Sequence, residues 1–269
     1  MFSLQGVSLS IGQRELLSNI DLHFEPQTIT AIMGANGAGK STLFKCLLGE
    51  YPVTSGQVTF KQQNIGEYSQ SELSRYRAYI AQAKPNMFNM LVLEYLLLAR
   101  IQYIESTKYS ENLVLEIAKQ FNIMGFLMRD ITTLSGGELQ IIEFVRAYLQ
   151  LYETDNMQGK CLLLDEPASA LDIKQTRLLY QHLQAFTQQG GTVIIIEHDI
   201  NQAASLANNL VLIQEGKVLA NGATHTVFTQ HNLDACFATN GQMIQSASHQ
   251  ANFYHLSFQG QPSNSQVNA

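Results

Sequence analysis

Thr28-Ile29-Thr30-Ala31-Ile32-Met33 runs without a break into Gly34-Ala35-Asn36-Gly37-Ala38-Gly39-Lys40-Ser41, and a helical pattern follows as far as Gly49. The first stretch is more uniformly apolar than an alternating strand, as expected of a strand buried on both faces, so the order is strand, phosphate-sized loop, helix. The loop matches GxxxxGK[ST], and the flanking strand and helix distinguish it from a merely flexible glycine-rich turn. Glycines let successive backbone N–H groups turn inward as an anion nest, and the helix N-terminus adds partial positive charge. Lys40 suits the β and γ phosphates, and the Ser41 hydroxyl suits Mg²⁺. The predicted phosphate-binding set is Gly34, Ala35, Asn36, Gly37, Ala38, Gly39, Lys40, Ser41 and Thr42.

Working outward, Leu4 to Leu9, Ile20 to Phe24 and Val58 to Phe60 alternate with period two and are separated by turn residues, predicting an antiparallel β region at the start of the chain. From Met87 to Met128 apolar residues recur at three and four spacing (Leu93, Leu96, Leu97; Leu113, Ile117, Phe121), predicting an inserted helical lobe over about 84–150. Continuously apolar Cys161 to Leu164 and Val193 to Ile196 each follow a helical segment, the pattern of a parallel sheet. Leu210 to Ile213 and Val218 to Ala220 flank Glu215-Gly216-Lys217, a hairpin signal. The predicted architecture is therefore α/β: a P-loop NTPase core with a mostly parallel sheet, an N-terminal antiparallel β-subdomain and an inserted α-helical subdomain. It occupies 1–258, and the polar, Pro/Ser/Asn-rich stretch 259–269 reads as a disordered tail.

Two further motifs carry chemistry. Asp165-Glu166-Pro167 ends the run Cys161 to Leu164, at the strand edge where an open α/β sheet forms its ligand crevice. Asp165 suits Mg²⁺, and Glu166 suits orienting and polarising an attacking water. Alone, two acids at a strand end more often make a turn or a helix cap; the phosphate loop upstream reverses that weighting. Leu134-Ser135-Gly136-Gly137-Glu138 precedes a helix over Leu139 to Leu149. Ser135 to Glu138 reads as a capping box, and the two glycines add bare N–H groups at a helix N-terminus, a second phosphate-binding element.

With phosphate loop, LSGGE and DEP in this order, the chain resembles the ATP-binding cassette family, the ATPase subunits and domains of ABC transporters, from about Phe2 to Phe258. LSGGE is that family's signature and far more specific than the phosphate loop. The resemblance implies that Gln82 in Ile80-Ala81-Gln82 senses Mg²⁺ and the γ phosphate and links core to lobe. It implies that Asp172 in Ser169-Ala170-Leu171-Asp172 belongs to the D-loop, and that His198 in Glu197-His198-Asp199 contacts the γ phosphate. Glu166, His198 and Gln82 are then the catalytic residues, and Ser41, Gln82 and Asp165 the Mg²⁺ residues. Ser135, Gly136, Gly137 and Asp172 join the nucleotide-binding set, the signature amides acting in trans on ATP held by a second copy. The implied catalytic unit is a head-to-tail homodimer with two ATP molecules between the protomers.

The chain departs from the family pattern in four places. Ile11 stands where an aromatic residue commonly stacks on adenine, so the base is expected to be held by apolar contact or covered by another residue such as Phe2 or Arg14. Leu139-Gln140-Ile141 lacks a frequent arginine, although Arg146 remains on the same helix. Ala168 replaces Thr or Ser after DEP, and Glu197 precedes the histidine where a neutral residue is more usual. Within the family, importers for heme, cobalamin and iron chelates look most similar. The support is Thr54 to Val58, Tyr68 to Tyr79, Glu197 to Ala203 and an extra polar stretch, Gln150 to Lys160, otherwise a tolerated surface loop. The resemblance implies that hemin importer ATPases often carry such an insert and cobalamin importer ATPases a similar one, so heme is the first expected cargo and cobalamin or a ferric siderophore the second. The resemblance implies ATP and Mg²⁺ as cofactors, a separate membrane permease dimer as partner, indirect work with a periplasmic or extracellular substrate-binding protein, and a peripheral place on the cytoplasmic face of the inner membrane. Met87, Phe88, Met90 and Leu91, with little charge around them, suit a groove for a permease helix.

Composition excludes other classes. The 269 residues are 45% hydrophobic and 14% charged, which excludes a disordered or collagen-like chain. The longest apolar stretch, Met90 to Ala99, is interrupted by Glu94 and is short of the roughly 18 residues a membrane-spanning helix needs. A net charge of −6, from 22 acids and 16 bases, argues against nucleic acid as a partner. Cys46, Cys161 and Cys236 are odd in number and far apart, which fits buried thiols better than a disulfide frame or a zinc site. A nucleic-acid or ribosome ATPase of the family would need tandem cassettes or a basic arm, and a P-loop kinase or GTPase would lack LSGGE.

Overall fold

The computed structural model describes residues 1–82, 88–245 and 252–256. The expected tail 259–269 lies outside them, as does the stretch 83–87, which includes Met87 of the apolar segment and the expected start of the lobe at 84. In chain order, β1 (Phe2–Ile11), β2 (Arg14–His23) and β3 (Ile29–Met33) lead to α1 (Lys40–Leu47). Strands β4 (Ser55–Phe60) and β5 (Gln63–Asn64), helix α2 (Gln70–Ser74) and strand β6 (Arg77–Ile80) follow. A helical stretch then contains α3 (Val92–Leu97), α4 (Thr107–Gln120) and α5 (Gly136–Leu151). The chain continues through β7 (Cys161–Asp165), α6 (Ile173–Gln188), β8 (Thr192–Ile196), α7 (Ile200–Leu206), β9 (Asn209–Gln214) and β10 (Lys217–Ala223). It closes with α8 (Thr224–Val227), α9 (Gln230–Phe237), β11 (Gln242–Gln245) and β12 (Asn252–His255).

One sheet is antiparallel, in the order β2-β1-β4-β5; the larger runs β10-β9-β3-β8-β7-β6. In the larger sheet every pairing is parallel except β10 with β9. Its strands read as unbroken apolar runs because alternate residues feed two different cores. Ile32, Leu163, Ile194, Ile196, Val211 and Ile213 face the antiparallel sheet and α1. Met33, Leu162, Leu164, Val193, Ile195 and Leu212 face the helical side, with Phe144, Leu183 and Phe186. Both faces are dry, so neither tolerates the polar alternation of a half-exposed strand. All three cysteines are free and buried within these cores.

Two buried arginines hold helices from their C-terminal ends. Arg77 donates to Leu47 O (2.9 Å) and Leu48 O (2.6 Å) at the end of α1. Arg100 donates to Leu149 O (2.7 Å) and Tyr152 O (2.5 Å) at the end of α5 and pairs with Glu105 at 2.7 Å. A guanidinium there satisfies carbonyls that the helix leaves open and complements its dipole.

The polar stretch Gln150 to Lys160 is not a loose surface loop. Helix α5 continues to Leu151, Met157 is fully buried, and Lys160 Nζ donates to Arg75 O (2.7 Å) while pairing with Glu153 (2.5 Å). The small β11–β12 ladder, which the sequence did not announce, docks on α7. The Tyr254 N–H donates to Asn201 Oδ1 (2.8 Å), and Asn201 Nδ2 donates to Tyr254 O (3.1 Å).

Candidate functional site

The parallel register assembles the site. Ile80 pairs with Leu164 and Leu164 with Ile195, so β6, β7 and β8 end side by side. Ile32 pairs with Ile196, which brings the end of β3 and its glycine loop to the same edge. Gln82 lies two residues past the end of β6, Glu166 one past the end of β7, and His198 two past the end of β8. Residues far apart in sequence thus meet within hydrogen-bond reach.

Glu166 is the hub. Its backbone is left-handed (φ +51), and its N–H donates to Ile196 O at 3.1 Å. A non-glycine residue in this region carries strain that the surroundings must hold, here by tying the β7 end to β8. Gln82 Nε2 donates to Glu166 Oε2 at 2.5 Å, and His198 Nε2 contacts Glu166 Oε1. Gln82 is exposed, as is His198, so both face the crevice rather than the core.

The phosphate loop lies opposite. Lys40 is buried, and its Nζ donates to Gly34 O (2.7 Å) and Ala35 O (3.1 Å), which bends the ammonium back over the loop. Burial pulls the Lys40 ammonium below its ordinary value, opposed by the carboxylates of Glu166 and Asp165. A Cβ on Gly34 would stand 2.2 Å from Ile213 O at φ +156, so only glycine fits this first loop position.

Asp165 ends β7 with its carboxylate buried. Burial and then the charge of Glu166 push its carboxyl above the ordinary range, while the adjacent Ser41 hydroxyl and Lys40 oppose the shift. Its Oδ1 is buried with no hydrogen-bond partner among the described residues. An orphaned buried carboxylate oxygen beside a serine hydroxyl is a hard-oxygen donor set suited to a small divalent cation such as Mg²⁺.

A cavity of about 980 Å³ connects these parts, lined by Gly37, Lys40, Ser41, Gln82, Glu166 and His198 among others. The signature residues are elsewhere. Ser135 caps α5 in the capping box, its Oγ accepting the Glu138 N–H (3.3 Å) while Glu138 Oε2 accepts the Ser135 N–H (2.7 Å). Gly136 and Gly137 open the same helix, and Asp172 caps α6, accepting the Gln175 N–H at 2.7 Å. None of Ser135, Gly136, Gly137 or Asp172 lines the cavity of its own chain.

Residues 17–169 match the ABC transporter family. The chain belongs to that family. It is a transport ATPase, and the cavity just described is where this ABC protein's loop, carboxylates and histidine converge. Its relatives include the vitamin B12 import ATP-binding protein BtuD of Vibrio atlanticus (strain LGP32), 34% identical over 90% of this chain and 95% of that protein. The hemin import ATP-binding protein HmuV of Shewanella denitrificans (strain OS217 / ATCC BAA-1090 / DSM 15013) is 33% identical over 91% and 96%. Among solved structures, cbiO1 from Clostridium perfringens, part of the ABC transporter complex cbiONQ, matches with a TM-score of 0.74 at 23% identity, covering 87% of this chain and 92% of that one. The dimeric structure of MJ0796, a bacterial ABC transporter cassette, matches with a TM-score of 0.72 at 24% identity over 83% and 99%. At these identities the structural matches speak to the fold alone.

Three features of this ABC ATPase differ from, or lie beyond, what its sequence predicts. Phe2 cannot cover a base: it is fully buried, packed on Phe60 with ring centroids 4.6 Å apart. Ile11 is 54% exposed on β1, and Arg14 lines the cavity. Glu215 and Gly216 also line it, because the β9–β10 turn folds over the phosphate loop, where Gly216 N–H donates to Ala38 O at 2.9 Å. The hairpin was legible in Glu215-Gly216-Lys217, but its place above the loop was not.

Proposed function

We propose that this chain is the ATP-binding and hydrolysing subunit of an ABC importer that takes up heme through a separate membrane permease dimer. Two copies work head to tail, on the cytoplasmic face of the inner membrane, and a periplasmic or extracellular binding protein delivers the substrate to the permease. The observation that carries the ATPase part is the meeting of Gln82, Glu166 and His198 at one sheet edge, facing Lys40 and Ser41 across a single cavity.

In this reading the backbone amides of residues 34–39, Lys40 and Thr42 hold the phosphates, and Glu166 accepts a proton from the water that attacks the γ phosphorus. Gln82 and His198 orient Glu166 and contact the γ phosphate. Ser41, Asp165 and Gln82 are the residues that would hold Mg²⁺, which neutralises charge on the β and γ phosphates when bound. Ser135, Gly136 and Gly137 of one copy, with Asp172 at the subunit boundary, complete the pocket of the other. Their distance from their own chain's cavity supports that arrangement.

Heme is supported by the HmuV relatives, which align over nearly their whole length, and by the ordered Gln150 to Lys160 segment. Cobalamin or ferric-siderophore import is the second reading, cobalamin being supported by BtuD relatives of equal similarity. Heme and cobalamin are both metal-bound tetrapyrrole macrocycles, so the difference lies with the permease. No described helix of this chain is long and apolar enough to cross a membrane. Phe88, 78% exposed beside Met90 and Leu91, is a surface on which the permease would dock. Reconstitution with its permease in proteoliposomes and measurement of ATP-driven uptake tests the substrate. Heme accumulation abolished by Glu166→Gln is expected; accumulation of cobalamin but not heme would replace the first reading with the second.

A further inference from the structure

The turn that carries His198 contains a carboxylate for which the hydrolysis chemistry above has no use. Glu197 ends up only 6% exposed. Its Oε2 accepts the Tyr180 hydroxyl at 2.8 Å, and its Oε1 accepts the His198 backbone N–H at 3.1 Å. The Tyr180 oxygen also lies 2.9 Å from Gln202 Oε1, so one phenol links α6, the end of β8 and α7. On the other side of the histidine, Asp199 caps α7, accepting the N–H groups of Asn201 and Gln202 at 2.9 Å each. His198 is thus flanked by two carboxylates: the buried Glu197, which accepts its N–H, and Asp199, which starts the helix that follows.

Glu197 is a demanding choice for a purely architectural position. No described lysine, arginine or histidine pairs with it, and burial pushes its carboxyl above the ordinary range. An apolar residue of similar volume would avoid that desolvation. The turn borders a cavity of about 650 Å³ between α6 and α7, lined by Glu197, His198, Tyr180 and Glu166 among others. What the carboxylate supplies, and an apolar side chain does not, is an acceptor for the His198 N–H anchored on Tyr180.

We propose that Glu197 is a positioning residue for ATP hydrolysis: anchored by Tyr180, it holds the His198 backbone so that Nε2 faces the Glu166 carboxylate. This rests on the roles given above to Glu166 and His198. Its effect is on the catalytic step rather than on nucleotide binding, since Glu197 is absent from the lining of the phosphate-loop cavity.

A double-mutant cycle tests it, with kcat and ATP affinity measured for each variant of the full chain. Glu197→Leu is expected to lower kcat by about tenfold with ATP affinity unchanged, and Glu197→Gln, which keeps a carbonyl acceptor, to restore most of the loss. In a His198→Ala background, Glu197→Leu is expected to change kcat by less than about twofold, because no imidazole is left to position. If Glu197→Leu fails to fold, Tyr180→Phe decides, since it keeps the ring and removes the anchor; a fall in kcat at constant affinity is expected. Wild-type kcat in Glu197→Leu, or an undiminished effect in the His198→Ala background, overturns the proposal while leaving the His198 role intact. Wild-type kcat in His198→Ala alone would overturn the role of His198 itself, and this proposal with it.

Discussion

Gln82 Nε2 and Glu166 Oε2 lie 2.5 Å apart across 84 residues of sequence, so the end of β6 and the end of β7 share one hydrogen bond at the site. With His198 on the other carboxylate oxygen, Glu166 is gripped from both neighbouring strands. Each oxygen of the carboxylate is thereby oriented by a side chain from a neighbouring strand.

Glu166→Gln should therefore separate binding from turnover. A positioned carboxylate of this kind contributes about 10²–10⁴ in rate, and the amide keeps the shape. Nucleotide affinity near wild type with turnover almost abolished is expected in calorimetry and phosphate-release assays. Lys40→Ala should do the reverse, weakening affinity itself, because its charge faces the phosphates in the ground state. Wild-type turnover in the first variant, or unchanged affinity in the second, would contradict these roles.

The same Glu166→Gln protein, given ATP and Mg²⁺, should elute as a dimer. Adding Gly136→Asp sets a carboxylate at the N-terminus of α5 against the partner's γ phosphate and should return it to monomer. Light scattering distinguishes this from an oligomer that forms without ATP, which would count against action in trans.

Gly216→Ala should damage the site from outside the recognised motifs. Its φ is +74, and a Cβ there would meet Leu16 O at 2.6 Å, so the turn must lift away from the phosphate loop. Loss of the Gly216 N–H bond to Ala38 O and backbone strain together predict destabilisation of about 1–3 kcal/mol and weaker ATP binding. Thermal unfolding with and without nucleotide measures both, and an unshifted midpoint would show that the turn adapts.

Ile11, half exposed near Arg14, leaves the base without an aromatic partner from this position. Base stacking on an aromatic ring is worth roughly 1–3 kcal/mol, and the phosphate loop is blind to the base. Weak discrimination between ATP and GTP is expected, with Ile11→Tyr tightening ATP. Competition binding checks it: strong ATP preference in the natural chain, or no gain in the variant, points to Arg14 or another group as the base contact.

Much of this protein is legible in its sequence. The glycine loop, LSGGE and Asp165-Glu166 are short-range patterns whose chemistry is written within a few residues, because nests, helix N-termini and strand-end carboxylates are local geometry. The doubly apolar strands around Ile29–Met33 and Cys161–Asp165 likewise declared a buried parallel sheet. Which strands became neighbours was not written there. A strand dry on both faces has no polar side to mark its partner, and the crossovers between parallel strands span dozens of residues. The order β3-β8-β7-β6 alone decided that Gln82, Glu166 and His198 would touch. The same non-local packing laid Gly216 over the phosphate loop and placed Tyr180 beneath Glu197, so those two contacts exist only in the folded chain.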